Sequence, residues 1–340
     1  MKRSHLLILA LAGLLIPARV HATACGCVPV SVSAGEQFRS HTPGTLRAGY
    51  AFAYSDTDHY YIGKERDDAT ETNVAPATLG IENILNLEYD LPRGIALVGE
   101  VPFIKTEQSR EFGGVAGTMK ASGLGDIRLL ARYWLGRDAS KLRWYSALGL
   151  RLPTGESDGT YLAKNGKTVM KDLAAQAGTG NAAGIFEVGG TAPLGRRLAL
   201  GFSGRYVFTP KSTTVANFRH QLNGTGPEKN SDSDAAAARL SVSAPLGGPG
   251  SALHPLAVRA LADLAWVPYD DLFGETEGFR RAGPIVLVGP GLSWAPRQAF
   301  LLSAAVPFTI YRDIQQNGGN VQEWMLQLSL SYDVIPGKGI

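Results

Sequence analysis

A chain of 340 residues with a formal net charge of +3, both signs spread along it, offers no basic surface of the kind nucleic acid requires. Its mean hydropathy of −0.03 and the lack of any uncharged apolar run near ~20 residues beyond the N-terminus exclude a stack of membrane-spanning helices. The 41 glycines suit a chain with many turns and close backbone contacts.

The N-terminus reads first. "MKRSHLLILALAGLLIPARVHATAC" has a basic start at Lys2 and Arg3, an apolar stretch from Leu6 to Ile16, and Ala22-Thr23-Ala24 as a cleavage site. Residues 1–24 are therefore expected to be a secretory signal peptide; the stretch is too short for a spanning anchor, and Arg19 interrupts its flank. Both cysteines, Cys25 and Cys27, lie beside the cut. They cannot form a disulfide framework for the body of the chain. Three readings stay open. Cys25 is a candidate lipidation site, although Ala22 stands where lipoprotein processing expects leucine. A metal-binding C-x-C is no better supported than a chance pair, since two thiolates do not close a tetrahedral site. A local disulfide fits poorly at this spacing.

From Leu46 onward apolar residues recur at every second position, the period of a strand. "TLRAGYAFAYSD" places Leu46, Tyr50, Phe52 and Tyr54 on one face. "LGIENILNLEYDL" sets Leu79, Ile81, Leu85, Leu87, Tyr89 and Leu91 against Glu82, Asn86, Glu88 and Asp90, with Asn83 breaking the apolar row. "IALVGEVPFIKT" is nearly apolar but contains Glu100. "GLGDIRLLARYWLGRD" then splits into Ile127, Leu129, Ala131, Tyr133 and Leu135 against Asp126, Arg128, Leu130, Arg132 and Trp134. Further segments follow: "RWYSALGLRLPTG", "AAGIFEVGGTAPL", "RLALGFSGRYVFT", "AAARLSVSAPL", "LAVRALADLAWVP", "GPIVLVGPGLSWAP", "AFLLSAAVPFTIYRD" and "VQEWMLQLSLSYDVI". Pro290 inside "VGPGLSW" predicts a bulge or bend.

These make about twelve strands of ~10 residues or more, the length a tilted strand needs to cross a bilayer. The joins alternate in length. Short ones lie at Pro92-Arg93-Gly94, Gly136 to Leu142, Leu194-Gly195-Arg196, Gly247 to His254 and Ala295-Pro296-Arg297. Long polar ones span Ser55 to Thr78, Glu107 to Ser122, Glu156 to Gly180, Pro210 to Asp234, Asp270 to Ala282 and Asp313 to Asn320. In hydrocarbon every backbone amide must be paired within the protein, so the β solution is a closed barrel. The expected fold is an all-β, closed antiparallel transmembrane barrel with short periplasmic turns and long extracellular loops, in the outer membrane of a Gram-negative bacterium. Residues 44–335 would form it, 25–43 a periplasmic segment or partial lumen plug, and 336–340 a tail. Ile127, Leu129, Ala131 and Leu135 would meet lipid. Tyr50, Tyr54, Tyr89, Tyr133, Tyr206, Tyr332 and Trp324 would form the aromatic girdles.

Several motifs in order resemble the outer-membrane transporter family of the MetA pathway of phenol degradation. They are Gly123-Leu124-Gly125-Asp126 before "IRLLARY", "GLRLPTG" at Gly149 to Gly155, "AQAGTGN" at Ala175 to Asn181, and "VGPGLSW" at Val288 to Trp294. The chain departs from the family in "QAGTGN", where proline and serine are expected around the GTG core. The resemblance implies a barrel passing aromatic or other hydrophobic compounds.

The inward charges expected to line a solute pathway are Arg47, Glu82, Glu88, Glu100, Asp126, Arg128, Arg132, Arg151, Glu187, Arg205, Arg239, Arg259, Asp263 and Glu323. They would screen solutes as charged rings do in channels, or pair with one another across a side-chain-filled lumen. Arg128, Arg132 and Arg151 on adjacent strands lean toward anionic solutes. The expected partners are outer-membrane lipid and a small solute, with no nucleic acid, no cofactor and no metal. The oligomeric state is left open.

Other readings stand beside the channel: a structural or surface-interaction barrel, or a hydrolase at the rim using Asp56, Asp58 and His59 of "SDTDHYY". Spacing alone shows no positioned base, and two aspartates fall short of a calcium site. The chain therefore reads as no enzyme. Asn223-Gly224-Thr225 reads as a turn, and "GLGDI" opens a strand with too few glycines to cradle phosphate.

Overall fold

The computed structural model describes residues 41–57, 59–70, 77–110, 116–135, 142–171, 175–195, 197–210, 234–248, 250–273, 282–297 and 299–337, with all side chains but those of 77, 110 and 316–318. The signal segment, Cys25, Cys27, Asp58 and Asn223-Gly224-Thr225 lie outside the described residues.

Twelve crossing strands alternate up and down. They are β1 (Leu46–Thr57), β2 (Ala77–Asp90), β3 (Ile95–Arg110), β4 in two pieces (Gly117–Leu124 and Arg128–Trp134), β5 (Arg143–Arg151) and β6 (Ala183–Leu194). Then come β7 (Leu198–Phe208), β8 (Ala235–Pro245), β9 (Leu256–Val267), β10 (Gly283–Arg297), β11 in two pieces (Phe300–Ala305 and Phe308–Arg312) and β12 (Met325–Ile335). Each pairs antiparallel with its neighbours, and β12 pairs with β1 from Ile335↔Leu46 to Met325↔Ser55. The cylinder is closed and leaves no lipid-facing sheet edge of the kind hydrocarbon forbids.

The outer wall is apolar. Leu85, Leu87, Leu97, Leu129, Leu148, Leu150, Leu240 and Leu302 stand exposed there, and Leu148 is 68% exposed. Such a continuous greasy belt around a polar interior is the arrangement of a transmembrane barrel of the outer-membrane type. Tyr89, Tyr133 and Tyr332 are exposed toward the ends of their strands, and Trp324 is exposed just before β12. Asn83, the break in the apolar row of β2, is satisfied on that face: the Tyr50 hydroxyl donates to its Oδ1 at 2.6 Å.

The two rims differ as the loop lengths predict. Short turns close one rim, and Arg93, at φ 65°, turns the chain between β2 and β3. Long connections gather at the other. Strands run longer than the sequence suggests: β3 runs to Arg110 and the upper piece of β4 begins at Gly117, inside a stretch read as loop. The outward Lys105, Glu107 and Lys120 mark where this sector leaves the apolar belt, with Lys120 and Glu107 paired at 2.9 Å. β10 runs unbroken through Pro290; the interruption falls on its partner β11, at Val306 and Pro307, with a register shift between Val286 and Leu287.

Candidate functional site

The register of the closed barrel decides which inward side chains meet. Arg47 on β1 lies opposite Glu88 on β2 and Asp333 on β12. Glu100 on β3 faces Arg128 on β4, Glu187 on β6 faces Arg205 on β7, and Arg239 on β8 faces Asp263 on β9. All become ion pairs: Arg47 to Glu88 at 2.9 Å and Asp333 at 2.8 Å, Arg128 to Glu100 at 3.3 Å, Arg205 to Glu187 at 2.5 Å, and Arg239 to Asp263 at 2.5 Å.

Contacts between strands that are not neighbours join most of these pairs into one lattice. Arg132 on β4 reaches Glu88 on β2 at 2.5 Å and Glu187 on β6 at 3.1 Å. Arg128 reaches Glu82 at 3.3 Å. Arg205 on β7 spans the lumen to Glu100 on β3, with Nη2 at 2.7 Å and Nη1 at 3.0 Å. Tyr145 on β5 donates to Glu187 at 2.9 Å, and its ring centroid lies 4.2 Å from the Arg132 guanidinium carbon. The inward Leu130 and Trp134 fill space around the lattice. Leu130 packs with Val98, Ala147 and Ile185, and Trp134 lies on Tyr145 with ring centroids 5.0 Å apart.

Glu100 is 0% exposed and Glu187 1%. A wide aqueous pore at their level would wet both. The β1–β7 wall therefore carries a packed, self-neutralising charge layer. Arg128 and Arg151 lie opposite each other, yet each turns to a carboxylate, Arg151 lying 3.8 Å from Asp126. The basic cluster on β4 and β5 is thus compensated, and the lean toward anionic solutes drawn from the sequence loses its basis.

On the opposite wall Arg239 and Asp263 share Gln327 of β12, at 2.5 Å and 3.3 Å. Arg259, half-buried toward the short-turn rim, lies 3.5 Å from Ser241. Small residues also face inward between these groups, beside the buried Leu261 of β9. Gly49 and Ala51 on β1, Ser329 on β12, and Gly291 and Ser293 on β10 point inward and are only half-buried.

Two expected pathway residues sit elsewhere. Glu323 precedes β12 at the long-loop mouth, where Tyr61 donates to it at 2.6 Å and Arg312 pairs with it at 3.0 Å. Burial pushes the Tyr61 hydroxyl up to about 12, and the adjacent Glu323 carboxylate adds to the shift. Here the folded-in strands Tyr60–Gly63 and Ile314–Asn320 put Tyr61, Ile314 and Val321 against the inward Ala237, Ala265, Ile285, Leu287 and Met325. Part of the upper lumen is filled by this apolar cluster.

Asp126 lies in the break of β4 and acts as a clamp. It accepts from the Gly155 and Thr179 amides at 3.1 and 2.9 Å and from the Thr179 hydroxyl at 2.7 Å. Thr154 donates to the Gly125 carbonyl at 2.8 Å. Gly155 and Gly178 touch backbone to backbone: a Cβ on Gly178 would lie 2.5 Å from the Gly155 carbonyl carbon. The motifs "GLGD", "LPTG" and "AGTGN", distant in sequence, therefore meet at one point. There they fix the β5–β6 connection, whose hairpin (Thr160–Leu162 with Thr168–Met170) leans on the upper piece of β4 through the Lys164 amide and the Ala116 carbonyl at 2.8 Å.

Sequence reasoning did not find Asp333, Gln327, Tyr145, Tyr61 or Arg312: Asp333 and Gln327 meet their partners only on closure, Tyr145 meets Glu187 and Arg132 on adjacent strands, and Tyr61 and Arg312 meet Glu323 at the mouth. Asp333 and Gln327 carried a signal, since period two along the Leu326-to-Tyr332 row turns both inward. Among the described residues no group of three His, Cys, Asp or Glu could hold a metal. His59 lies 3.5 Å from Arg66.

No family model and no curated protein sequence matches the chain. Solved structures do. The COG4313 outer membrane channel from Pseudomonas putida F1 is similar at a TM-score of 0.59 and 14% identity, over 88% of this chain and 99% of that one. The CymD monoaromatic hydrocarbon channel gives 0.42 and 9%, over 93% and 95%. The translocator domain of the autotransporter NalP from Neisseria meningitidis gives 0.45 and 13%, over 86% and 89%. At 14% identity the likeness to the first of these is one of fold.

Proposed function

We propose that this protein is an outer-membrane channel for small solutes, with the route running along the small-residue wall and past the charge lattice. The observation that carries this reading is the contrast between the two walls. The lattice residues are buried and mutually paired, while Gly49, Ala51, Gly291, Ser293 and Ser329 remain half-exposed to the lumen. Buried ion pairs add little net stability, and ionisable groups at membrane depth point to a pathway by default. The lattice then narrows and lines the route rather than selecting ions by charge surplus.

A membership in the MetA-pathway family is part of the proposal, supported by the convergence of the shared motifs on Asp126. That membership and the apolar cluster under the mouth favour aromatic or otherwise hydrophobic solutes. The fold-level likeness to a protein named as an outer membrane channel agrees with it. Residues 1–24 would be the exported leader and Cys25 the start of the mature chain.

The second reading, a filled structural barrel, draws on the burial of Glu100 and Glu187. Reconstitution separates the two. The channel reading expects discrete conductance in planar bilayers and uptake of a small aromatic alcohol into liposomes. Silence in both assays, with the barrel folded, would leave the structural reading.

A further inference from the structure

We infer that residues 268–273, at the start of the β9–β10 connection, form a foot seated in the outer-leaflet boundary of the membrane, with Asp234 as its anchor. The inference rests on the barrel being membrane-embedded and goes beyond the transport reading.

The outward row of β9, from Val258 to Trp266, carries no charge, and that of β7 ends in Tyr206 and Phe208. Asp234 extends the outward row of β8, which continues as Ala236, Ala238 and Leu240. A carboxylate facing the girdle there would be poorly tolerated. It is 0% exposed instead, because residues 271–273, at the start of the connection, lie against it. Asp234 accepts from the Tyr206 hydroxyl at 2.6 Å and from the Thr209, Leu272 and Phe273 amides at 3.0, 3.0 and 3.3 Å. Its own amide donates to Asp271 at 2.9 Å.

The Leu272 and Phe273 amides, which carry the two apolar side chains at the tip, are thus satisfied inside the protein, as backbone near hydrocarbon requires. The segment exposes three large apolar side chains, with the Asp270 carboxylate also exposed between them. Tyr269 is 56% exposed, Leu272 64% and Phe273 55%, and the Phe273 ring lies 5.2 Å from that of Phe208. The patch is thus continuous with the lipid-facing belt. The β3–β4 sector differs, since Lys105, Glu107 and Lys120 replace the belt above Phe103 and Leu124. An aromatic and aliphatic tip continuous with the belt fits the boundary between headgroups and acyl chains.

The test uses L272C in the full mature chain with Cys25 and Cys27 changed to Ser, labelled with an environment-sensitive fluorophore and folded into phospholipid vesicles. L148C on the belt and D158C on the exposed β5–β6 connection, made in the same background, are the references. The label at 272 is expected to emit to the blue of that at 158. It should be quenched by lipids carrying a nitroxide near the headgroup end of the acyl chain. Adding D234A should move it toward quenching by aqueous iodide while the label at 148 stays lipid-quenched. Behaviour at 272 matching that at 158, with 148 still quenched by lipid, overturns the inference and spares the membrane reading. Protection at 272 that appears only at high protein-to-lipid ratio assigns the patch to a second copy of the chain and also overturns it. Failure of lipid quenching at both 148 and 272 removes the membrane reading and the inference together.

Discussion

Arg239 and Asp263 show what one lumen pair does for the barrel. Asp263 is 1% exposed, so deleting its partner leaves a buried charge with only Gln327 beside it. Arg239→Ala and Asp263→Ala should each cost about 3–5 kcal/mol, because an uncompensated buried charge is far worse than no charge. The double change R239M/D263L should cost less than either single one, since it removes both charges and keeps the volume. Urea unfolding of the lipid-folded barrel, followed by tryptophan fluorescence, measures all three. A double variant as weak as the sum of the singles would show that the pair does not act as a unit. That both residues point inward was legible from period two. That Gln327 closes the trio was not, because β8 and β12 approach only across the closed lumen.

At the scale of the element, β4 is the strand that departs from regularity. Gly125-Asp126-Ile127 interrupts it, and the upper piece pairs with β3 while the β5–β6 connection covers its other side. Asp126→Ala removes the acceptor for two amides and one hydroxyl, a loss of about 1–3 kcal/mol for a group left unsatisfied. Its effect should stay local. Limited proteolysis is expected to cut within residues 152–182 faster in D126A, while the barrel's resistance to unfolding in cold detergent persists. Cleavage unchanged from the parent chain would mean that glycine packing alone holds the connection. The alternation along Ile127 to Leu135 showed a strand, and its greasy row does face outward, with Leu129 51% exposed. The break stayed hidden because periodicity reports the face a residue takes, whereas Asp126 is set by partners about thirty and fifty residues later in the chain.

The whole molecule divides its lumen unequally, and that division makes the transport reading testable by size alone. Arginines and carboxylates bridge β1 to β7, and an apolar cluster fills part of the upper lumen beneath the long-loop mouth. What remains half-open is the strip of small residues on β10, β12 and β1. Ala51 lies in this strip, with Ser329 opposite it on the neighbouring strand. Ala51→Trp should therefore stop solute uptake and conductance by filling the strip. The pairing register of β1 should survive, because Ala51 donates no side-chain contact to the lattice. Charge is unaltered by the change, so any loss of flux is steric. Arg47→Gln is the counterpart on the charged wall: it breaks the pairs to Glu88 and Asp333 and should change stability more than flux. If A51W conducted as the parent does while R47Q abolished conduction, solutes would be passing through the lattice and the assignment of the two walls would be reversed.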